Sequence, residues 1–392
     1  MDLAERVASL KPTAVNRVLQ EVKALQADGR SLVSLMRGQP DSPTPAHIVD
    51  AVEQALRDGH TGYPDNQGEP VLRHAVVEKL WRDNDLTYDP HREVLITDGA
   101  TGGLFTALAV LIQPGDEVLV PDPIYDAYAS PIAIWGGRGV SVASSIRQGR
   151  FTLDRTALEA AWTPRTKVLL LNTPWNPTGS VLMRDELTAC AEFAIERNVY
   201  LLSDEIYEAF VYDGARHVSP AVLSAEAKSR TIVINSLSKT YGMTGWRVGY
   251  CAAPAEIISA MMLAWQQFSR GPATFVQHAA AAALSGDQAC VRTMTADYQE
   301  RRDSVVQALR DIQGVTPLVP QGGLFVMVDV RGLKKSSDEV RRFLLNEGGV
   351  VVMHGAAYGK GGEGTLRVSF AAGGETLERG LERLRECLTR LA

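Results

Sequence analysis

Residues 236–247 read SLSKTYGMTGWR and follow the apolar run TIVIN (231–235) without a break. Ser236, Ser238, Lys239 and Arg247 therefore stand together just past a segment suited to a buried strand. A lysine there is costly unless it is paired, solvated or used covalently. Its amine could attack a carbonyl, and two hydroxyls with a guanidinium are donors suited to a phosphate. Alone, the lysine reads equally well as a surface residue at a helix start. Other apolar runs end in a similar way. DGATGG follows EVLIT (93–97), PDPIYDAY follows EVLV (117–120), TPWNPTG follows KVLLLN (167–172), and DEIYEAF follows YLLS (200–203). Small residues in DGATGG would let backbone amides approach an anion at a helix start, although such turns often only connect elements.

These segments need a scaffold that brings them to one place. Several of the runs are continuously apolar, the pattern of strands covered on both faces in a mostly parallel α/β sheet. RVGYCAA (247–253) adds another strand, and helical patterns such as DELTACAEFAIERN (185–198) lie between runs. Ligands of such sheets sit beyond the carboxyl ends of the strands, where the polar segments fall. The two ends of the chain read differently. Residues 1–36 suggest one or two helices ending at Gly29, and residues 291–392 mix a long charged helix, short strands and a final amphipathic helix. The expected division is an N-terminal segment (1–45) joining a small α/β domain (289–392), with a large domain (46–288) between them.

Composition removes other classes of function. The 392 residues are 45% hydrophobic and 22% charged with a net charge of −6, so no basic surface for nucleic acid or membrane is expected. No apolar run reaches the roughly 18 residues of a membrane span, and MDLAERVASLKP lacks the apolar core of a signal peptide. A cytoplasmic location is expected. Cys190, Cys251, Cys290 and Cys387 are widely spaced, and the seven histidines form no HxxxH or HExxH. No metal site is expected.

The ordered set SxSK, GxxGxRxG, DEIY and NPTG resembles the class I/II aminotransferases of pyridoxal-5'-phosphate (PLP) fold type I. RGQPDSPTP (37–45), YPDNQGEPVLR (63–73) and TLRVSF (365–370) extend the resemblance over nearly the whole chain. It implies a mostly parallel seven-stranded sheet flanked by helices, with a smaller α/β domain. It implies a PLP-dependent aminotransferase that moves an amino group from an α-amino acid to a 2-keto acid through a Schiff base at Lys239 and a ketimine. Lys239 resembles the Schiff-base lysine, Asp204 the partner of the pyridine nitrogen, and Tyr207 and Asn176 the partners of the phenolic oxygen. Tyr125 matches the ring-stacking aromatic, with Tyr128 as its competitor. Ala100, Thr101, Ser236, Ser238 and Arg247 match the phosphate donors. Tyr63 matches a tyrosine that reaches the phosphate of the neighbouring subunit, which implies a homodimer with shared active sites. Arg367 matches the receptor of the substrate α-carboxylate, and Gly38 the backbone over it, beside Asn176. The family often has cis peptides at the positions of Asp122–Pro123 and Asn176–Pro177. A β-lyase, a cyclising synthase or an amino-acid oxidase would use the same site, and a non-catalytic ligand-binding module is a further alternative.

The chain departs from the family pattern at four positions. Thr101 stands where some members acting on acidic substrates carry lysine. Arg37 and Trp175 stand where smaller or less aromatic residues are common, and His354 replaces a frequent proline. With Trp175 as an apolar wall and no lysine at position 101, non-acidic amino acids are expected to be accepted at least as well as aspartate; Arg37, which adjoins the Gly38 loop, either points to solvent or receives a second carboxylate.

Overall fold

The computed structural model describes residues 4–8, 10 and 12–392; part of the helical segment expected at the N-terminus lies outside these. The large sheet contains β1 (Val94–Thr97), β2 (Glu117–Asp122), β3 (Arg138–Ala143), β4 (Thr166–Asn172), β5 (Tyr200–Asp204), β6 (Thr231–Ser236) and β7 (Gly249–Ala252). These seven strands lie in the order β1-β7-β6-β5-β4-β2-β3. The neighbours from β6 to β3 are parallel, while β7 runs antiparallel to both β1 and β6. The reversal at β7 has a local reason. Residues 237–248, between β6 and β7, hold only the one-turn helix Leu237–Thr240, too short for the crossover that a parallel return needs.

Leu169, Leu170 and Leu171 of β4, Leu201 and Leu202 of β5, and Ile232 and Ile234 of β6 are fully buried. Each such side chain stabilises the fold by about 1.5–3 kcal/mol. Helices α1 (Gly99–Leu111) and α2 (Ala255–Trp265) pack against each other on one face, which shares a core of Leu95, Leu108, Ile232, Ile234 and Met261. Cys190, Ala191, Phe193 and Ala194 of the helix Arg184–Glu196 join Leu169, Leu171 and Leu201 in another core. Strand β3 has no apolar run in the sequence. It is an edge strand, mostly exposed or half-buried, and needs no second apolar face.

The smaller layer is a four-stranded antiparallel sheet of β8 (Thr316–Leu318), β9 (Phe325–Asp329), β10 (Met353–His354) and β11 (Thr365–Ser369), in the order β8-β9-β11-β10. Ala289–Leu309, Ser337–Gly348 and Gly374–Leu391 are its helices. The N-terminal part of the chain returns to this layer, with Val33–Ser34 pairing in parallel with Val350–Val351. The helix Ala14–Ala27 ends before Gly29, whose φ of +82° suits the left-handed turn that closes it.

Candidate active site

The polar residues at the carboxyl ends of β4, β5 and β6 meet above the sheet. Asn172, the last residue of β4, is in register with Asp204, the last of β5. Its amide donates to the Asp204 carbonyl at 2.9 Å, and its Oδ1 accepts the Asn176 amide at 2.8 Å. One asparagine thus ties the NPTG turn to the strand that carries Asp204. The sequence reading missed Asn172. Its signal was a polar residue closing an otherwise apolar run.

A cavity of about 400 Å³ opens over these strand ends. Its wall contains Gly38, Ala100, Thr101, Tyr125, Asn176, Asp204, Tyr207, Ser236, Ser238, Lys239, Arg247 and Arg367. Every residue that the sequence assigned to the site is therefore present, except Tyr63. That tyrosine is 91% exposed and does not line the cavity of its own chain. Val15, Leu19, Leu104 and Phe325 also contribute, without having stood out in the sequence.

Asp204 is buried and accepts the Tyr128 hydroxyl at 2.6 Å and the Ile206 amide at 3.3 Å. Burial pushes its carboxyl up to about 6, while the bonds from Tyr128 and Ile206 oppose the rise. Tyr128 is thus fixed as a partner of Asp204. Tyr125, at 5.5 Å and edge-on to Tyr128, stays exposed in the cavity wall and free to face a ring. Lys239 Nζ donates to the Gly38 carbonyl at 2.8 Å. Burial, reinforced by Arg247 and Arg367, lowers its ammonium to about 8. About a tenth of the amine is then neutral, and nucleophilic, at pH 7, far more than for an ordinary lysine. Tyr207 is buried with its ring edge-on to Phe325, and burial raises its phenol.

Ser236 and Ser238 share a hydroxyl–hydroxyl bond of 2.8 Å. Arg247, at φ +53°, is held by carbonyls of Thr244 at 3.0 Å and Asp98 at 3.4 Å. Gly99, at φ +73°, lies so close to this guanidinium that a Cβ would stand 2.8 Å from Nη2. Glycine here keeps the start of α1 open beside a cation. Arg367, on β11, donates to Asn176 Oδ1 at 3.0 Å and to the Met36 carbonyl at 2.8 Å. Its guanidinium lies 4.0 Å from the Phe325 ring centre, and Nε is buried without a partner. Free donors on a buried, braced arginine suit a carboxylate.

The peptides Asp122–Pro123 and Asn176–Pro177 are cis, as expected, and Thr173–Pro174 is cis as well. Trp175 corrects the sequence reading. It does not line the cavity; it is buried in the core with Phe151 and Leu182, and its Nε1 donates to the Pro123 carbonyl at 2.8 Å. Trp175 is bridged to Ser180 and packs into the core, while Asn176 begins the turn that follows it and lines the cavity. His354 also stands away from the cavity, with Nδ1 3.8 Å from Asp338.

Behind the strand ends, Glu205, Glu208 and His217 form a group with metal-ligand chemistry. The carboxylates are already engaged. Glu208 is bonded by Lys79, Asn84 and Asn235, and Glu205 by Ser203, Ser219 and His217. The carboxylates thus belong to a polar network beside β5 in which their own bonds are made, while His217 Nδ1 has no partner among the described residues.

This donor set fits PLP: a deep amine of lowered pKa for its carbonyl, a buried carboxylate for its ring nitrogen, and an arginine with serines and an open helix start for its phosphate. Comparison with known proteins agrees. Residues 30–384 match the model of aminotransferase class I and II. The chain is 38% identical over 389 residues to an aspartate aminotransferase of Geobacillus stearothermophilus, covering 98% of each. It is 35% identical over 390 residues to aromatic-amino-acid aminotransferase 2 of Thermococcus litoralis, covering 99% of this chain and 98% of that one. The crystal structure of the aspartate aminotransferase from Rhizobium meliloti superposes with a TM-score of 0.96 at 34% identity, covering 100% of this chain and 99% of the other. The chain belongs to the class I and II aminotransferases, and it is a PLP-dependent enzyme that transfers amino groups.

Proposed function

We propose that the cavity over the strand ends carries out transamination between an α-amino acid and a 2-keto acid, with the following division of work. PLP, when bound, supplies a carbonyl that joins an amine and a ring that takes up the electron pair left at the substrate Cα. Lys239 holds the cofactor between turnovers and moves the proton from the substrate Cα to the cofactor carbon C4'. Asp204 keeps the pyridine nitrogen protonated, and Tyr128 and Asn172 are positioning residues that act through Asp204 and Asn176. Tyr207 and Asn176 hold the phenolic oxygen. Ala100, Thr101, Ser236, Ser238 and Arg247 bind the phosphate, and Tyr125 covers the ring. Arg367 takes the α-carboxylate beside Gly38 and Asn176, which fixes the Cα–H bond relative to the ring plane.

The convergence of Lys239, Asp204, Arg247 and Arg367 on one cavity carries this reading. The active species is a homodimer in the cytoplasm, with Tyr63 reaching the phosphate of the other subunit. Its 91% exposure on the single chain leaves its hydroxyl and ring open to a second subunit. The names of the similar proteins point to aspartate and aromatic amino acids as substrates to test. The experiment is a half-reaction screen: each amino acid is mixed with the holoenzyme, the cofactor absorbance is followed, and the 2-keto acid released is measured. Stoichiometric 2-keto acid, with recovery of the spectrum on adding a second 2-keto acid, is expected. Release of ammonia without that recovery would favour a lyase or an oxidase.

A further inference from the structure

One cation of the cavity wall has no part in the roles above. Arg37 lines the cavity and is exposed, and no described carboxylate pairs with its guanidinium. Nearby acids are already taken. Asp41 is bonded by Arg301 at 2.9 Å and by the Gly373 amide at 2.8 Å, and Asp204 by Tyr128 at 2.6 Å. The backbone under Arg37 is fixed at three successive carbonyls. Met36 accepts from Arg367 at 2.8 Å, Arg37 from the Ser369 hydroxyl at 2.6 Å, and Gly38 from Lys239 at 2.8 Å. A Cβ on Gly38 would stand 2.2 Å from the Phe325 ring, so the loop is also packed against β9. The Arg37 side chain thus leaves from an anchored point beside Arg367.

Val15, Leu19 and Leu104 make part of the remaining wall apolar, and the hydroxyl of Thr101 carries no charge to offset an anion. Among the described residues lining the cavity, Arg37 is the cation left to meet a second substrate carboxylate, whose burial unpaired would be costly. We propose that Arg37 is the specificity residue of this site, receiving the side-chain carboxylate of the substrate while Arg367 holds the α-carboxylate. The favoured substrates are then dicarboxylic amino acids and dicarboxylic 2-oxo acids. This rests on the role proposed for Arg367. It reverses the preference expected from Thr101 and Trp175, because Trp175 lies in the core and Arg37 at the cavity. A planar guanidinium can pair a carboxylate bidentately, and on a flexible stem in an exposed place it can swing aside for an apolar side chain.

The test compares wild type, Arg37→Met and Arg37→Lys as holoenzymes. Half-reaction kcat/KM is measured for aspartate and phenylalanine. Binding of maleate and 3-phenylpropionate, which carry no amino group, is measured by calorimetry. Arg37→Met is expected to lower the aspartate-to-phenylalanine ratio by about 10–100-fold, the scale of one charge-assisted hydrogen-bonded pair. Maleate should weaken by a similar factor and 3-phenylpropionate should not, while Arg37→Lys should keep much of the ratio. An unchanged ratio, equal losses for both amino acids, or a lysine variant as impaired as the methionine variant would overturn the proposal. The maleate arm needs no turnover, so it decides the role of Arg37 even if transamination itself were absent.

Discussion

Replacing Tyr128 by phenylalanine tests how the ring-nitrogen carboxylate is tuned. The Tyr128 hydroxyl lies 2.6 Å from Asp204 Oδ2, and both side chains are out of water. The ring itself packs in the core with Leu104, Ile132 and Val168, so loss of the hydroxyl leaves the apolar contacts in place. Burial pushes Asp204 up to about 6, and the Tyr128 bond is the strongest opposing influence. That bond stabilises only the carboxylate form, so its removal raises the pKa further. A hydrogen bond to a charged acceptor contributes about 1.5–3 kcal/mol, which at about 1.4 kcal/mol per pH unit corresponds to about 1–2 pH units. At neutral pH the carboxyl would change from mostly ionised to substantially protonated, and a protonated carboxyl cannot hold a proton on the pyridine nitrogen. The assay is PLP affinity of the apoprotein, titrated at pH values from about 5 to 9. In Tyr128→Phe the acid limb of the affinity profile should move up by about 1–2 pH units, with turnover falling on the same limb. An unmoved limb in a variant with wild-type melting behaviour would refute the tuning of Asp204 by Tyr128.

Other outcomes follow from the same geometry. Borohydride should fix PLP to Lys239 and to no other lysine, as peptide mapping will read, and Lys239→Ala should abolish the label. Because the ammonium is lowered to about 8 and only the free amine attacks, capture of PLP by the apoprotein should speed up as pH rises and level off above that value. Asn172→Ala removes the bonds that join the NPTG turn to β5, at 2.8 and 2.9 Å. It should destabilise the fold by about 1–3 kcal/mol in denaturant titration and lower kcat. Lys239→Ala and Tyr63→Ala homodimers should each be impaired, while subunit mixing should restore activity, since one site of the hybrid has both residues intact. No recovery on mixing, with subunit exchange verified, would count against a shared site.

The chemistry of this protein was legible because its parts are local. Lys239, Ser236, Ser238 and Arg247 lie on one short segment, and Asp204 and Tyr207 lie on another. Each follows an apolar run that a sheet buried on both faces requires, so residue type and position along the chain were enough to propose a common edge. The antiparallel course of β7 and the edge strand β3 were less legible. The first depends on the length of a connection, and the second lacks the apolar run that marks a central strand.

The contacts that tune the site were decided by tertiary structure. Tyr125 and Tyr128 are nearly equivalent in sequence, and only the placement of Asp204 makes one a bonded partner and leaves the other in the cavity wall. Trp175 and Asn176 are neighbours, yet the first packs into the core and the second, at the start of a turn, lines the cavity. Arg37 and Arg367 are far apart in the chain, and share the cavity wall because the N-terminal segment packs onto the small sheet through Ser369 and Arg367. The sequence by itself determined which groups the site contains, since chemistry follows from side-chain type. Tertiary structure decided which of them face the cavity and which pairs share a charge or a proton, because those depend on direction and burial rather than on order along the chain.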